Sequence, residues 1–158
     1  MAAELDDIDL RILAALQSNS SLTTAEVAER AGVSPTPCWR RIQRLEEAGY
    51  IKKRVALLDR DKLNVGVTVF VAIRTNQHSV EWLAKFHSAL RDIPEVVEFH
   101  RLSGSIDYLV KAVVPDIAAY DALYKKLISR IELSDVTSMF AMEELKSTTE
   151  LPLSHVRG

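Results

Sequence analysis

The chain has 158 residues, a length that allows one ordinary domain or two small ones. Apolar residues make up 47% of it and charged residues 27%, and the five glycines and five prolines form no low-complexity tract. No apolar run approaches the ~20 residues that a membrane helix needs, and the acidic start differs from the basic start of a signal peptide. We therefore expect a cytoplasmic protein with no membrane partner.

The residues that commonly bind metals are few and scattered. Cys38 is the only cysteine, so it cannot form an internal disulfide. The four histidines, at positions 78, 87, 100 and 155, lack the spacing of metal ligands. We expect neither a metal site nor a cofactor.

Charge is distributed unevenly along the chain. Residues 38–54 carry six basic residues against two acidic ones, whereas residues 1–29 carry one against six, and the formal net charge of the whole is −2. A concentrated basic stretch in an acidic protein is typical of a surface that touches phosphates. The alternative is a helix face that is merely solvated.

Two short helices are predicted at the start of the chain. The first begins at Asp6 or Asp7 as N-cap, and the second begins at Thr23 or Thr24 and ends at Gly32. Gly32 favours a helix end because glycine adopts a positive φ at little cost. The apolar positions with helical spacing are Ile8, Ile12, Leu13 and Leu16 in the first helix and Val27, Ala28 and Ala31 in the second.

A third helix is predicted over about residues 35–48. Ser34 is its expected N-cap, and Pro35 and Pro37 fall in the first turn, where backbone N–H groups have no intrahelical partner. At 100° per residue, Cys38, Ile42 and Leu45 share one face. Pointing away from that face are Arg40, Gln43 and Arg44, with Arg41 on the flank.

The remainder alternates between strand-like and helix-like patterns. The segment "YIKKRVALLD" is expected to form a strand or hairpin, and from residue 65 onward the pattern is β-α-β-β-α-β, which is that of a ferredoxin-like domain. The fold class is therefore α+β, an N-terminal winged helix-turn-helix domain followed by a ferredoxin-like βαββαβ domain. We expect the boundaries to be 1–58 for the first domain, 59–64 for the linker and 65–158 for the second. The sheet face without helices should be buried by dimerisation.

Two short helices, a turn with glycine and a basic third helix describe a helix-turn-helix module, whose recognition helix enters the major groove of double-stranded DNA. Ser34, Thr36 and Pro37 begin that helix, where backbone N–H groups can bind phosphate. Three arginines can reach guanine or phosphate, namely Arg40, Arg41 and Arg44. From the following strand, the expected phosphate contacts are Lys52, Lys53 and Arg54.

Two side chains of the third helix allow alternative interpretations. Trp39 either packs against the first helix or touches DNA, and its position beside Cys38 favours packing. Cys38 is either a buried core residue, which its helical phase favours, or a redox sensor whose pKa nearby arginines would lower.

The segments "LDDIDLRILAALQ", "LTTAEVAERAGVSPTPCWRRIQRLEEAGYI", "GSIDYLVKAVV" and "AMEELKSTTELP" resemble the Lrp/AsnC family of feast-or-famine transcription regulators over nearly the whole chain. "TPCWRRIQRLE", "HSVEWL" and "FAMEELKSTTELP" further resemble its cysteine-responsive subgroup. The resemblance implies an amino-acid effector bound where dimers meet, and assembly of homodimers into octamers. The positions that it implies for the effector are Ser103, Gly104, Asp107, Tyr108, Thr137 and Ser138.

We therefore expect a sequence-specific transcription regulator whose DNA binding or assembly responds to a small amino acid. The alternatives are a redox-responsive regulator that acts through Cys38 and a stand-alone amino-acid sensor. An enzyme is not expected, because no motif brings histidine, cysteine and carboxylate together.

Overall fold

The structure, a computed structural model, describes residues 5–156 and divides into two compact units. The first unit extends to Leu57 and also includes the chain from Lys146 onward, and the second is Leu58–Leu145. The predicted second domain, 65–158, is continuous, whereas here the C-terminal segment groups with the first unit. No helix within residues 5–156 is both long and apolar enough to cross a membrane.

The first unit contains three helices, which are α1 (Asp7–Ser18), α2 (Thr24–Ala31) and α3 (Pro35–Glu47). Asp6 caps α1 and Thr23 caps α2, each in a capping box with the acidic residue three positions later. Gly32 has φ +70° and ends α2, and the N–H of Val33 donates to the Ala28 carbonyl at 3.0 Å. The core of this unit joins the inward faces of all three helices and includes Ile12, Leu16, Val27, Ala28, Cys38, Ile42 and Leu45.

The segment after α3 does not form the predicted strand or hairpin. Within the described chain, residues 51–58 belong to no sheet, although "YIKKRVALLD" has a strand-like pattern. A strand exists only when its backbone pairs with another, and the first unit offers no described strand beside it. Side-chain hydrogen bonds, not strand pairing, hold the C-terminal segment against this unit. Gln17 Nε2 donates to the Leu151 carbonyl at 3.0 Å, and the Leu151 N–H donates to Gln17 Oε1 at 2.9 Å.

The second unit has the predicted β-α-β-β-α-β order. Its elements are β1 (Val67–Arg74), α4 (Val80–Arg91), β2 (Val96–Arg101), β3 (Tyr108–Val114), α5 (Ile117–Ile128) and β4 (Asp135–Phe140). The strands form one antiparallel sheet in the order β2-β3-β1-β4. The predicted fold class is therefore confirmed.

The two faces of the sheet differ in what covers them. Val69, Val71 and Ile73 of β1 pack with Phe86 of α4 and Leu123 of α5 in the core of this unit. The opposite face, which we call the open face, carries the alternate residues of each strand. In register, Phe70 lies between Lys111 and Met139, and Ala72 lies between Leu109 and Thr137. Both helices of the second unit pack on the other face, and no helix of that unit covers the open face.

Candidate functional site

The start of α3 is an exposed helix N-terminus. Ser34, Thr36 and Pro37 are exposed, and the first N–H with an intrahelical acceptor is that of Cys38, which donates to the Ser34 carbonyl at 3.0 Å. No acidic residue lies in the first turn, so the positive end of the helix dipole is not neutralised by its own side chains. This end of α3 is suited to binding an anion such as a DNA phosphate.

The basic residues predicted to contact DNA fall into two groups. Arg40, Lys52 and Lys53 are exposed and form no ion pair within residues 5–156. Arg54 pairs with Glu46 at 2.9 Å. The remaining two, Arg41 and Arg44, pair with acidic residues at the start of α1.

Asp9 is the carboxylate at the centre of those pairs. Its Oδ1 accepts from Nη1 of Arg41 at 2.8 Å and its Oδ2 from Nη2 of Arg44 at 2.5 Å. Asp6 accepts from the same Nη1 of Arg41 at 2.7 Å, and the hydrogen bonds from the Asp9 N–H and from Arg41 lower the pKa of Asp6 to about 2. The prediction that Arg44 only points away from the core missed this network. The signal was the placement of Asp9 three and seven positions before Ile12 and Leu16, on the apolar face of α1.

Trp39 and Cys38 have contrasting surroundings on α3. The packing predicted for Trp39 is wrong, because its side chain is 54% exposed. Cys38 is fully buried, as its helical phase predicts, and burial raises the pKa of its thiol. A neutral, inaccessible thiol reacts poorly with oxidants, so the structure favours the core role of Cys38.

Three of the residues implied for the effector lie in one turn between β2 and β3. The Leu102 N–H donates to the Asp107 carbonyl at 2.8 Å and closes the turn around Ser103 and Gly104. Gly104 has φ +141°, a conformation that L side chains rarely adopt. Within the described chain, no hydrogen bond uses the N–H groups of Gly104 and Ser105, so the turn presents backbone donors to a ligand.

Asp107 attaches this turn to the end of β1. Its N–H donates to the Ile73 carbonyl at 3.0 Å, and its Oδ2 accepts from the Thr75 N–H at 2.9 Å. Arg74 reinforces the attachment, because its Nε donates to the Ser105 carbonyl at 2.5 Å. The carboxylate therefore has a structural role. Among residues 5–156 its Oδ1 accepts no hydrogen bond, so this oxygen can accept one from a ligand.

The other three implied residues lie on different faces of the sheet. Tyr108 is 1% exposed, with its ring centroid 4.8 Å from that of Phe86, so its side chain is part of the core. Ser138 also faces the helices, where its hydroxyl hydrogen-bonds to Tyr120. Thr137 alone lies on the open face, two strands from Leu109 and roughly 10 Å from it at the usual strand spacing.

Among residues 5–156, no group of three or more histidine, cysteine, aspartate or glutamate side chains is arranged to hold a metal ion. Buried side-chain nitrogen and oxygen atoms within the same residues all have hydrogen-bond partners. The two candidate surfaces are therefore the start of α3 and the turn of residues 102–107.

Two family models match this chain. Residues 5–52 match the model of a winged helix-turn-helix DNA-binding domain, and residues 68–151 match that of the Lrp/AsnC ligand-binding domain. The chain is 52% identical over 153 residues to the glutamate uptake regulatory protein of Zymomonas mobilis. The alignment covers 97% of this chain and 93% of that protein.

Two solved structures share the fold over nearly the whole chain. An AsnC family transcriptional regulator from Agrobacterium tumefaciens is 57% identical with a TM-score of 0.94, covering 97% of this chain and 100% of that one. A transcriptional regulator from Neisseria meningitidis, solved with L-methionine, is 36% identical with a TM-score of 0.92, covering 97% and 99%. Membership of the cysteine-responsive subgroup stays a prediction. The chain belongs to the Lrp/AsnC family of DNA-binding transcriptional regulators with an amino-acid-binding domain, and it is not an enzyme.

Proposed function

We propose that α3 is the recognition helix and that its exposed start is the contact with the major groove of double-stranded DNA. The observation that carries this proposal is that Ser34, Thr36 and Arg40 are exposed on a helix whose other face, at Cys38 and Ile42, is buried. Arg40 forms no ion pair within the described chain, so its guanidinium is available to a guanine or a phosphate.

The flanking cations supply contacts that position the protein without reading bases. Lys52 and Lys53, exposed just after α3, are proposed to bind the phosphate backbone. Arg54 joins them at the cost of its pair with Glu46. Pro37, Arg41 and Arg44 complete the proposed interface from the body of α3.

We propose that a small amino acid binds at the turn of residues 102–107. The N–H groups of Gly104 and Ser105 are suited to its α-carboxylate, and Asp107 Oδ1 is suited to its α-ammonium group. The L-methionine in the Neisseria meningitidis regulator supports this class of ligand. Ser103 and Thr137 are further proposed contacts, whereas the side chain of Tyr108 is buried and Ser138 hydrogen-bonds to Tyr120.

We propose a homodimer formed through the open face, with four dimers assembling into an octamer in the cytoplasm. On the open face of the single chain, Phe70 and Leu109 are half-buried and Met139 is 45% exposed. Burial of such apolar surface is the driving force for association. A dimer would also join two DNA-binding units and so increase the affinity for paired half-sites.

The DNA interface is tested with a duplex that the wild-type protein selects from a random-sequence library. Arg40→Ala should weaken binding to that duplex about tenfold and reduce the slope of log affinity against log salt by about one, because one cation at the interface is lost. Fluorescence anisotropy at several salt concentrations measures both quantities.

Arg11→Ala is the matched control, since Arg11 is an exposed arginine of α1 and its replacement removes the same charge from the same unit. If Arg40→Ala and Arg11→Ala bind alike at every salt concentration, α3 is not the recognition helix.

A further inference from the structure

The buried carboxylate of Asp9 differs from the other charged groups of the first unit. Its side chain is 1% exposed, whereas those of Arg41 and Arg44, which donate to it, are 26% and 45% exposed. The cluster therefore has its negative charge in the interior and its positive charges at the surface of α3. A buried carboxylate is costly unless it is paired and hydrogen-bonded, and Asp9 is both.

Both oxygens of Asp9 have partners on α3. Oδ1 accepts from Arg41, while Oδ2 accepts from Arg44 and also from the Asp6 N–H at 3.2 Å. Asp6 holds Arg41 a second time, since its Oδ1 and Oδ2 accept from the same nitrogen at 2.8 and 2.7 Å. The two guanidinium groups are thus fixed by the start of α1, 32 to 35 residues earlier in the chain.

The pairs use only part of each arginine. A guanidinium has five N–H donors, and the structure uses one nitrogen of Arg41 and one of Arg44. The remaining donors can still bind a base edge or a phosphate. A side chain that is already held in one orientation loses less conformational entropy on binding, and planar donors confer specificity only when their orientation is fixed.

We propose that Asp9 is a positioning residue for DNA recognition. From the core side of α3 it holds Arg41 and Arg44 in the orientation in which they discriminate between sequences. Lys52 and Lys53, as proposed backbone contacts, then supply affinity that depends little on sequence. The inference rests on the proposed contact between α3 and DNA.

Asp9→Asn tests this role because asparagine has nearly the same shape and lacks the charge. The full chain is measured on the selected duplex and on a scrambled duplex of equal length and composition. We expect the ratio of the two affinities to fall about tenfold or more. Affinity for the scrambled duplex should change less than twofold and its salt slope should not decrease, because no cation is removed.

Asp7→Asn is the matched control. Asp7 lies in the same turn of α1 and is exposed, so its replacement changes the net charge equally without touching α3. It should leave the affinity ratio within twofold of the wild type. Thermal unfolding of each variant shows that the measurements are made on folded protein.

Asp6→Asn keeps the test decisive if Asp9→Asn does not fold. Asparagine is an equally good N-cap, so α1 retains its start, while Arg41 loses one of its two acidic partners. We expect a smaller loss of the affinity ratio, about threefold.

The inference is overturned if the folded Asp9→Asn variant keeps the wild-type ratio, or if both duplexes lose affinity equally. With Asp6→Asn as the measured variant, an unchanged ratio overturns it. If Arg40→Ala weakens DNA binding while Asp9→Asn keeps the wild-type affinity ratio, only the role of Asp9 is rejected. If Arg40→Ala does not weaken DNA binding, the proposed interface itself is rejected.

Discussion

Thr23 and Ser34 are both N-caps, but their hydroxyl groups have different tasks. Thr23 Oγ1 accepts from the Glu26 N–H at 3.3 Å, and Glu26 Oε2 accepts from the Thr23 N–H at 2.7 Å. Ser34 makes no such bond, because the third position of α3 is Pro37, which has no N–H to donate. The Ser34 hydroxyl therefore does not cap α3, which leaves it free for the proposed contact with DNA.

This difference predicts that two similar substitutions affect different properties, stability in one case and DNA binding in the other. Thr23→Ala should lower the free energy of unfolding by about 1 kcal/mol, because a capping box is lost. Ser34→Ala should change it by less than about 0.5 kcal/mol, as at an ordinary surface position, and should weaken operator binding instead. Urea denaturation and DNA titration of both variants measure these effects. Equal losses of stability would show that Ser34 caps α3 in solution.

Sequence alone predicted where single residues of α3 point, but not what they touch. The inward phase of Cys38, Ile42 and Leu45 follows from a repeat of 3.6 residues and is confirmed. The pairing of Arg44 with Asp9 depends on how α1 packs against α3, which no local pattern contains. The packing predicted for Trp39 was wrong for the same reason, because the exposure of its side chain depends on how far the core extends.

At the scale of elements, the helices and strands of the second unit were predictable because their apolar periods are regular. The order predicted from residue 65 onward is the observed one, with β3 (Tyr108–Val114) and β4 (Asp135–Phe140) as its last two strands. The strand predicted from "YIKKRVALLD" is absent from the described chain, since alternation alone supplies no pairing partner. Thr137 and Ser138 are both implied for the effector by the family resemblance, yet as neighbours in β4 they point to opposite faces of the sheet.

The open face of the sheet predicts the effect of a charge placed on it. Met139→Glu should convert the proposed homodimer to monomer, because burying a carboxylate in a largely apolar interface is costly. Val80→Glu is the control, since Val80 is 82% exposed on α4, away from the open face. Sedimentation velocity measures the masses. A dimer that persists in Met139→Glu would contradict association through this face.

At the scale of the whole molecule, two chain segments connect the units, one at residues 57–58 and one at residues 145–146. The proposed DNA interface belongs to the first unit and the proposed effector turn to the second. Sequence patterns predicted two domains but not the return of the C-terminal segment, because the bonds between Gln17 and Leu151 join residues 134 positions apart. Regulation then requires that effector binding to the second unit changes the affinity of the first unit for DNA, which is a coupling free energy between the two sites.

The effector variant that best isolates this coupling is Asp107→Asn. The amide oxygen of asparagine can still accept from the Thr75 N–H, so the turn keeps its attachment to β1, while the charge that would hold an ammonium group is lost. Its unfolding temperature without ligand should therefore stay within about 2 °C of the wild type, less than a 1 kcal/mol change would cause. Asp107→Ala would remove both the charge and the hydrogen bond from the Thr75 N–H, so it would not separate ligand binding from the structure of the turn.

The most direct measurement is operator binding by the wild type and by Asp107→Asn, with and without the amino acid that most raises the unfolding temperature in a screen of all twenty. We predict that this amino acid changes the operator affinity of the wild type by about 5-fold to 150-fold and leaves that of Asp107→Asn unchanged. The same change in both proteins, or no amino acid that alters the unfolding temperature or the operator affinity, would contradict an amino-acid-responsive regulator with its effector site at this turn.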